Sequence, residues 1–321
     1  MAHALITPDE ALLITDSRYY LQAEAECPGF EVIQTPGGSG GYGDALHTVL
    51  KAHPALRRLG FEADHVTVSQ LNAWQQANPN IQWNSTQSIV ETQRQIKDAG
   101  EIAILKRAIA IAEDAFLSVQ PLLCPGTRES DFALELEFAM RRSGASGTAF
   151  ETIVASGPNG ARPHYHAGSR LFQSGDFVTI DWGAAFENYH SDITRTAAIG
   201  AVTEKQRTIY AIVLEAQQRA IAAIAPGKNG KEIDAVARDY IASHGYGDAF
   251  GHSLGHMLGR SVHDGPGFSQ RTEELILLPG MVITVEPGIY LEGWGGIRVE
   301  EDILVTETGC EILTHLPNIL I

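Results

Sequence analysis

Two kinds of hydrophobic periodicity divide this chain. Through residue 90, short apolar runs alternate with short amphipathic ones: ALLIT at 11–15, a helical pattern over Ser17–Glu26, FEVI at 30–33, a helix at Asp44–Ala52, RRLGFE at 57–62, and a helix around Ser69–Gln76. Alternation at that length predicts a small α/β layer. From Ile96 the pattern lengthens. Ile102, Leu105, Ile109, Ala112 and Phe116 recur at helical spacing, and Cys124-Pro125-Gly126 closes that segment. A second helix spans Ser130–Arg142, with Arg141 and Arg142 at its negative end and Gly144 as its stop. Thr203 and Gln206 form a capping box for a helix carrying Ile209, Ile212, Ala216, Ala220 and Ile224, which ends at Pro226-Gly227. Another runs from Lys231 to Ser243 and stops at Gly245. The change of pattern sets a domain boundary near Gln95, giving units 1–95 and 96–321.

Each long helix pair is followed by a strand that delivers acids. In FVTIDWGAAFENYHSDITR (177–195), Asp181 ends an apolar strand and Asp192 follows. Facing residues of a hairpin have a constant sum of numbers, so a turn at Phe186-Glu187 sets the two aspartates directly opposite one another. Like charges so placed destabilise a sheet unless one is protonated or a cation lies between them. In MVITVE, Val282, Thr284 and Glu286 share one face. The chain returns as GIRVE, and a turn centred on Gly293 sets Glu286 opposite Glu300. Two hairpins presenting paired acids predict a metal site shared between two similar halves. Trp182, beside Asp181, is read as packing.

Histidines supply the remaining donor. GHSLGHMLG (251–259) carries His at i and i+4, but three glycines in a helix cost about 1 kcal/mol each. Extended backbone places His252 and His256 on one face and the glycines on the other, and His263 follows in VHDGPG.

Composition narrows the class. At 321 residues, 44% hydrophobic, the chain can bury substantial cores. Its net charge of −16 argues against nucleic acid or anionic membrane as a partner. Cys27, Cys124 and Cys310 lie far apart with no CxxC, which predicts free thiols in a reducing compartment. No signal peptide or membrane span is evident, so the cytoplasm is the expected location. The glycine loop TPGGSGGYG lacks both GxGxxG spacing and a P-loop ending and reads as a surface turn.

The motifs IVASGPNGARPHY, IDWGA, YHSDITRT, GHSLGHMLGRSVHDGPG, VITVEPGIY and GIRVEEDILVT resemble the pita-bread metallopeptidases, which include Xaa-Pro aminopeptidase (aminopeptidase P), prolidase and methionine aminopeptidase. SDITRT and VHDGP resemble the proline-peptidase branch. The resemblance implies an α+β fold: a pita-bread catalytic domain of two pseudo-symmetric halves, behind a small α/β N-terminal domain for which LITPDEALLITDSRY is the matching stretch. The family normally has several dozen residues before that stretch, so a shortened N-terminal domain is expected, together with a homodimer.

Residue by residue, the family's five ligands fall on Asp181, Asp192, His256, Glu286 and Glu300. The resemblance implies two divalent ions bridged by Asp192 and Glu300, about 3.5 Å apart. Mn(II) suits the oxygen-rich set, with Co(II), Fe(II) or Zn(II) as substitutes. A hydroxide between the ions would attack the scissile carbonyl, and Glu286 would pass the proton to the leaving proline nitrogen. His252 and His263 would hydrogen-bond the substrate and the developing oxyanion, with His164 on the opposite wall. Arg298, on the strand face of Glu300, would orient the bridging acids.

The expected substrates are peptides with proline at the second position. Dipeptide-restricted prolidases tend to carry an Arg shortly after the last motif His. Here that stretch is Asp264-Gly265-Pro266-Gly267, which favours aminopeptidase P unless Arg260 or Arg271 substitutes. A catalytically dead binding protein on this fold would have lost ligands, and none is lost. Creatine hydrolysis needs no metal and would leave the five unexplained.

Overall fold

Strand β2 (Ala11–Thr15) is the middle of the N-terminal sheet, antiparallel to β1 (Ala2–Ile6) on one side and parallel to β3 (Glu31–Gln34) on the other. This computed structural model describes residues 2–35, 42–271 and 275–318, and the glycine loop falls for the most part outside them. Helix α1 (Tyr20–Glu26) connects β2 to β3 and is shorter than its amphipathic pattern. Helix α2 (Tyr42–Ala52), strand β4 (Arg58–Glu62), helix α3 (Val68–Ala77) and strand β5 (Gln82–Thr86) complete the unit, β4 and β5 pairing in parallel. Its core joins Leu12 and Ile14 to Leu46, Val49, Leu50 and Trp74. The hydrophobic pattern does not predict β1 and β5. β5 reads QWNST and has no apolar run, while β1 is set by the Thr7–Glu10 turn, where Thr7 Oγ1 accepts from the Glu10 amide at 3.0 Å.

The chain divides into two compact units, Met1–Ile89 and Val90–Ile321, and the second carries every candidate ligand. Beyond α4 (Ile89–Arg94), helix α5 (Ala99–Val119) starts on an Asp98–Glu101 capping box and packs on α6 (Glu129–Arg142), which stops at Gly144 with φ +106°. Two short strands, β6 (Gly147–Thr148) and β7 (Ile153–Ser156), precede β8 (Phe177–Trp182), β9 (Ala184–Phe186), β10 (Tyr189–His190) and β11 (Ile193–Ala198). The sheet order is β11-β8-β7. Trp182 does pack: it stacks on Phe116, ring centroids 4.7 Å apart, and donates to the Ala112 carbonyl at 2.9 Å.

The pattern then repeats. Helices α7 (Glu204–Ala223), on its Thr203–Gln206 box, and α8 (Gly230–Ser243) lead to β12 (Val282–Val285), β13 (Gly288–Leu291), β14 (Gly295–Arg298), β15 (Glu301–Val305) and β16 (Cys310–Ile312). The second sheet has the order β12-β15-β16. One apolar core lies chiefly under the first helix pair and another under the second. The halves are joined by the Glu300 amide on the Thr194 carbonyl at 3.1 Å and by Thr196 Oγ1 on the Arg298 carbonyl at 2.8 Å. Among the described residues, no helix is long and apolar enough to cross a membrane.

Candidate metal centre

The first hairpin differs in register from the sequence expectation. Its turn is Glu187-Asn188, both with positive φ (47° and 63°), and Asp181 pairs with Thr194 instead of Asp192. A two-residue hairpin turn needs left-handed backbone at both central positions, and Asn adopts it readily, so the turn forms one residue later than expected. The pairing shifts by two, which preserves parity: Asp181 and Asp192 stay on one face as diagonal neighbours. Asp192 then lies opposite Gly183, where a Cβ would sit 1.9 Å from the Ser191 carbonyl oxygen, so no side chain fits there. The second hairpin keeps the expected register. Val285 pairs with Glu301 and Gly288 with Arg298, bracketing Glu286 opposite Glu300, and the turn is at Gly293 with φ +74°. The two hairpins therefore share a face but not a register.

The histidine segment runs extended along β12, the Thr284 amide donating to the His256 carbonyl at 2.8 Å and the Glu286 amide to that of Leu254 at 2.7 Å. A Cβ on Gly255 would lie 2.0 Å from the Thr284 carbonyl oxygen, so only glycine permits this approach. His256 Nδ1 is 3.1 Å from the Met257 carbonyl, which can only accept. The proton is thereby fixed on Nδ1, and the Nε2 lone pair faces the acids, 3.4 Å from Asp192 Oδ2 and 3.5 Å from Glu286 Oε1.

Donor atoms of Asp192, His256 and Glu300 all lie within 4.8 Å of one another. With Asp181 and Glu286 they line one cavity of about 300 Å³, whose other walls include His164 and His263. The His263 ring lies 4.2 Å from that of His256. His252 is not among the residues lining the cavity, and both its nitrogens are engaged within the protein, Nδ1 with the Ser253 carbonyl at 2.8 Å and Nε2 with the Tyr290 hydroxyl at 2.9 Å. Arg298 is buried. It donates to Asp181 Oδ2 (2.6 Å), to the Tyr290 hydroxyl (2.9 Å) and, through Nε, to Thr194 Oγ1 (3.1 Å). Its direct acid partner is thus Asp181, and it reaches Glu300 only through Thr194, whose hydroxyl donates to Glu300 Oε2 at 2.6 Å.

The electrostatics show what this arrangement lacks. Burial, then repulsion from Glu300, Asp181 and Glu286, raises the Asp192 carboxyl well above its usual range. Burial raises Glu300 likewise and pushes Glu286 up to about 8. Burial lowers His256 to about 4, helped by neighbouring His263, so at neutral pH its imidazole is uncharged and able to ligate. Asp181 Oδ1 and Glu300 Oε1 are buried with no hydrogen-bond partner. Unpartnered buried carboxylate oxygens are costly, and acids gathered around a neutral imidazole are a donor set that fits divalent cations.

Several supporting residues escaped the sequence reading. Tyr290 bridges Arg298 to His252, and Thr194 bridges Arg298 to Glu300. Asp302, fully buried, accepts from the Asp192 amide at 3.3 Å. Tyr165, His166, Phe150 and Glu151 also face the cavity. Tyr290 and Thr194 stand on the ligand faces of their strands, and His166 is the second histidine of the RPHYH stretch.

Fold and site together define a metal-dependent hydrolase. The chain belongs to metallopeptidase family M24, whose model matches residues 103–307, and residues 1–96 match the creatinase/prolidase N-terminal domain. It is 44% identical over 320 residues to the uncharacterized peptidase YqhT of Bacillus subtilis, covering 99% of this chain and 89% of that protein. A Xaa-Pro dipeptidase of Pyrococcus furiosus is 41% identical over 271 residues, 84% of this chain and 76% of its own length. Among solved structures, a Xaa-Pro dipeptidase from Bacillus anthracis superposes with a TM-score of 0.94 at 43% identity, covering 100% of this chain and 89% of that one. A Thermotoga maritima X-Pro aminopeptidase gives 0.92 at 42%, with 100% and 90% covered.

Proposed function

We propose that this protein is a metal-dependent Xaa-Pro dipeptidase. The observation that carries the reading is a single small cavity whose floor holds four acids and a neutral imidazole. Relatives at 36–43% identity named Xaa-Pro dipeptidase or prolidase support the dipeptide preference over the longer peptides that the sequence favoured. Arg260 and Arg271 are not among the residues that line the cavity, and this lack of an arginine anchor for a dipeptide carboxylate favours the second reading, aminopeptidase activity.

Asp181, Asp192, His256, Glu286 and Glu300 would hold two divalent cations, and the single nitrogen among oxygen donors favours Mn(II). Such a pair polarises a peptide carbonyl and supplies a water nucleophile at neutral pH. Glu286, beside the attacking water, would take its proton and deliver it to the departing proline nitrogen. His263 and His164 supply hydrogen bonds to the substrate from the walls. His252, with both nitrogens engaged in the protein, acts by holding Tyr290 and through it Arg298.

The Thermotoga maritima likeness keeps aminopeptidase activity as the second reading. Relative kcat/KM on Ala-Pro and Ala-Pro-Ala tests the choice: preference for the dipeptide is expected, and equal or better turnover of the tripeptide sinks it.

A further inference from the structure

An acid in the first turn of a helix suits the helix dipole at a surface, but Glu129 in the first turn of α6 is fully buried, so donors must replace its lost water. It collects them from one segment, 156–168. Oε1 accepts from the Ser156 amide (2.8 Å), the Ser156 hydroxyl (2.6 Å) and Asn159 Nδ2 (3.0 Å). Oε2 accepts from the Tyr165 hydroxyl (3.0 Å) and the Gly168 amide (3.3 Å). Asn159 also donates to the Tyr165 oxygen at 2.9 Å, closing the network.

The same segment carries His164, Tyr165 and His166, which line the cavity. It has a second tether on the other side of His164, where Arg298 Nη1 donates to the Pro163 carbonyl at 3.3 Å. Close backbone contact also holds it, since a Cβ on Gly160 would meet the Gly296 amide nitrogen at 2.9 Å. His164 therefore stands between a tether to the metal-site arginine and a tether to Glu129. A loop would otherwise be free to move on the nanosecond to microsecond scale.

We infer that Glu129 is a positioning residue for substrate: by gathering Ser156, Asn159, Tyr165 and Gly168 on one buried carboxylate, it fixes the histidine-bearing wall of the cavity. The inference rests on the reading of that cavity as a peptide site. Because the Glu129 carboxylate bonds the wall and none of the four acids, loosening this tether weakens substrate binding in ground and transition states alike, which raises KM and leaves kcat.

The test compares Glu129→Gln and Tyr165→Phe with wild type, both as Mn(II)-loaded enzymes. KM and kcat are measured on Ala-Pro, bound metal by elemental analysis, and amide exchange over 157–168 by mass spectrometry. Glu129→Gln puts an amide donor among donors, and Tyr165→Phe removes a single hydroxyl and should fold even if the former does not. The expected result is faster exchange in 157–168, a KM raised about tenfold or more, kcat within about threefold and unchanged metal content. Unchanged exchange, unchanged KM or lost metal in Glu129→Gln overturns the inference, and if that variant does not fold, unchanged exchange over 157–168 in Tyr165→Phe does so. If the wild-type protein hydrolyses no Xaa-Pro peptide, the functional reading falls, while the exchange result still decides whether Glu129 fixes the wall.

Discussion

Arg298 holds one oxygen of Asp181 at 2.6 Å and leaves the other, Oδ1, buried with no hydrogen-bond partner. A guanidinium that occupies half a carboxylate fixes the direction of the other half, and Oδ1 is the atom a cation would take. Lysine cannot reproduce the fork that also engages Tyr290 and Thr194. Arg298→Lys should therefore lower metal affinity by about 10–100-fold. Titration of the metal-free variant by calorimetry checks this, and wild-type affinity would show that Arg298 only balances charge.

The metal-free protein should become less stable as pH rises from about 6.5 to 8. Glu286 is held at about 8 against an ordinary 4.5, so over this range the folded state binds more protons than the unfolded, and stability falls as the proton is lost. Below 6.5 the lowered His252 and His256 act in the opposite sense, since their unfolded imidazoles take up protons first. Thermal melts in EDTA across pH 6.5–8 measure the slope. Added Mn(II) should flatten or reverse it, because a cation removes the repulsion.

Lys97 Nζ lies 3.6 Å from Asp264 Oδ2 with both side chains buried, and Arg94 also bonds Asp264 and Ser261. This cluster secures the loop between His256 and His263. Lys97→Met leaves Asp264 with half its countercharge and should cost about 2–3 kcal/mol. The melting temperature should fall by about 5–10 °C, and a change under 2 °C would show that Arg94 alone suffices.

The second hairpin was legible because its turn glycine and its alternation of Val, Ile and Thr leave a single register. The first was displaced by two residues because the choice between turns at Phe186-Glu187 and Glu187-Asn188 depends on left-handed backbone, which a hydrophobic pattern does not report. Parity survived the error, so the acids still share a face. The residues that arrange the site were not legible: Thr194 meets Glu300, and Glu129 meets Tyr165, across 106 and 36 positions, and only the folded chain brings such polar pairs together. His252 shows the reverse case, a histidine in the right motif whose nitrogens are both used within the protein.

Asp192 and its neighbours are proposed to hold the cations on which peptide hydrolysis depends. The direct test is EDTA-treated protein, wild type and Asp192→Asn, titrated with Mn(II) while bound metal and Ala-Pro hydrolysis are both followed. Wild type should take up two equivalents and regain activity in step, whereas Asp192→Asn should bind less metal and stay inactive at any Mn(II) concentration. Metal-free wild type that still cleaves Ala-Pro, or an Asp192→Asn variant restored by excess Mn(II), would contradict the account.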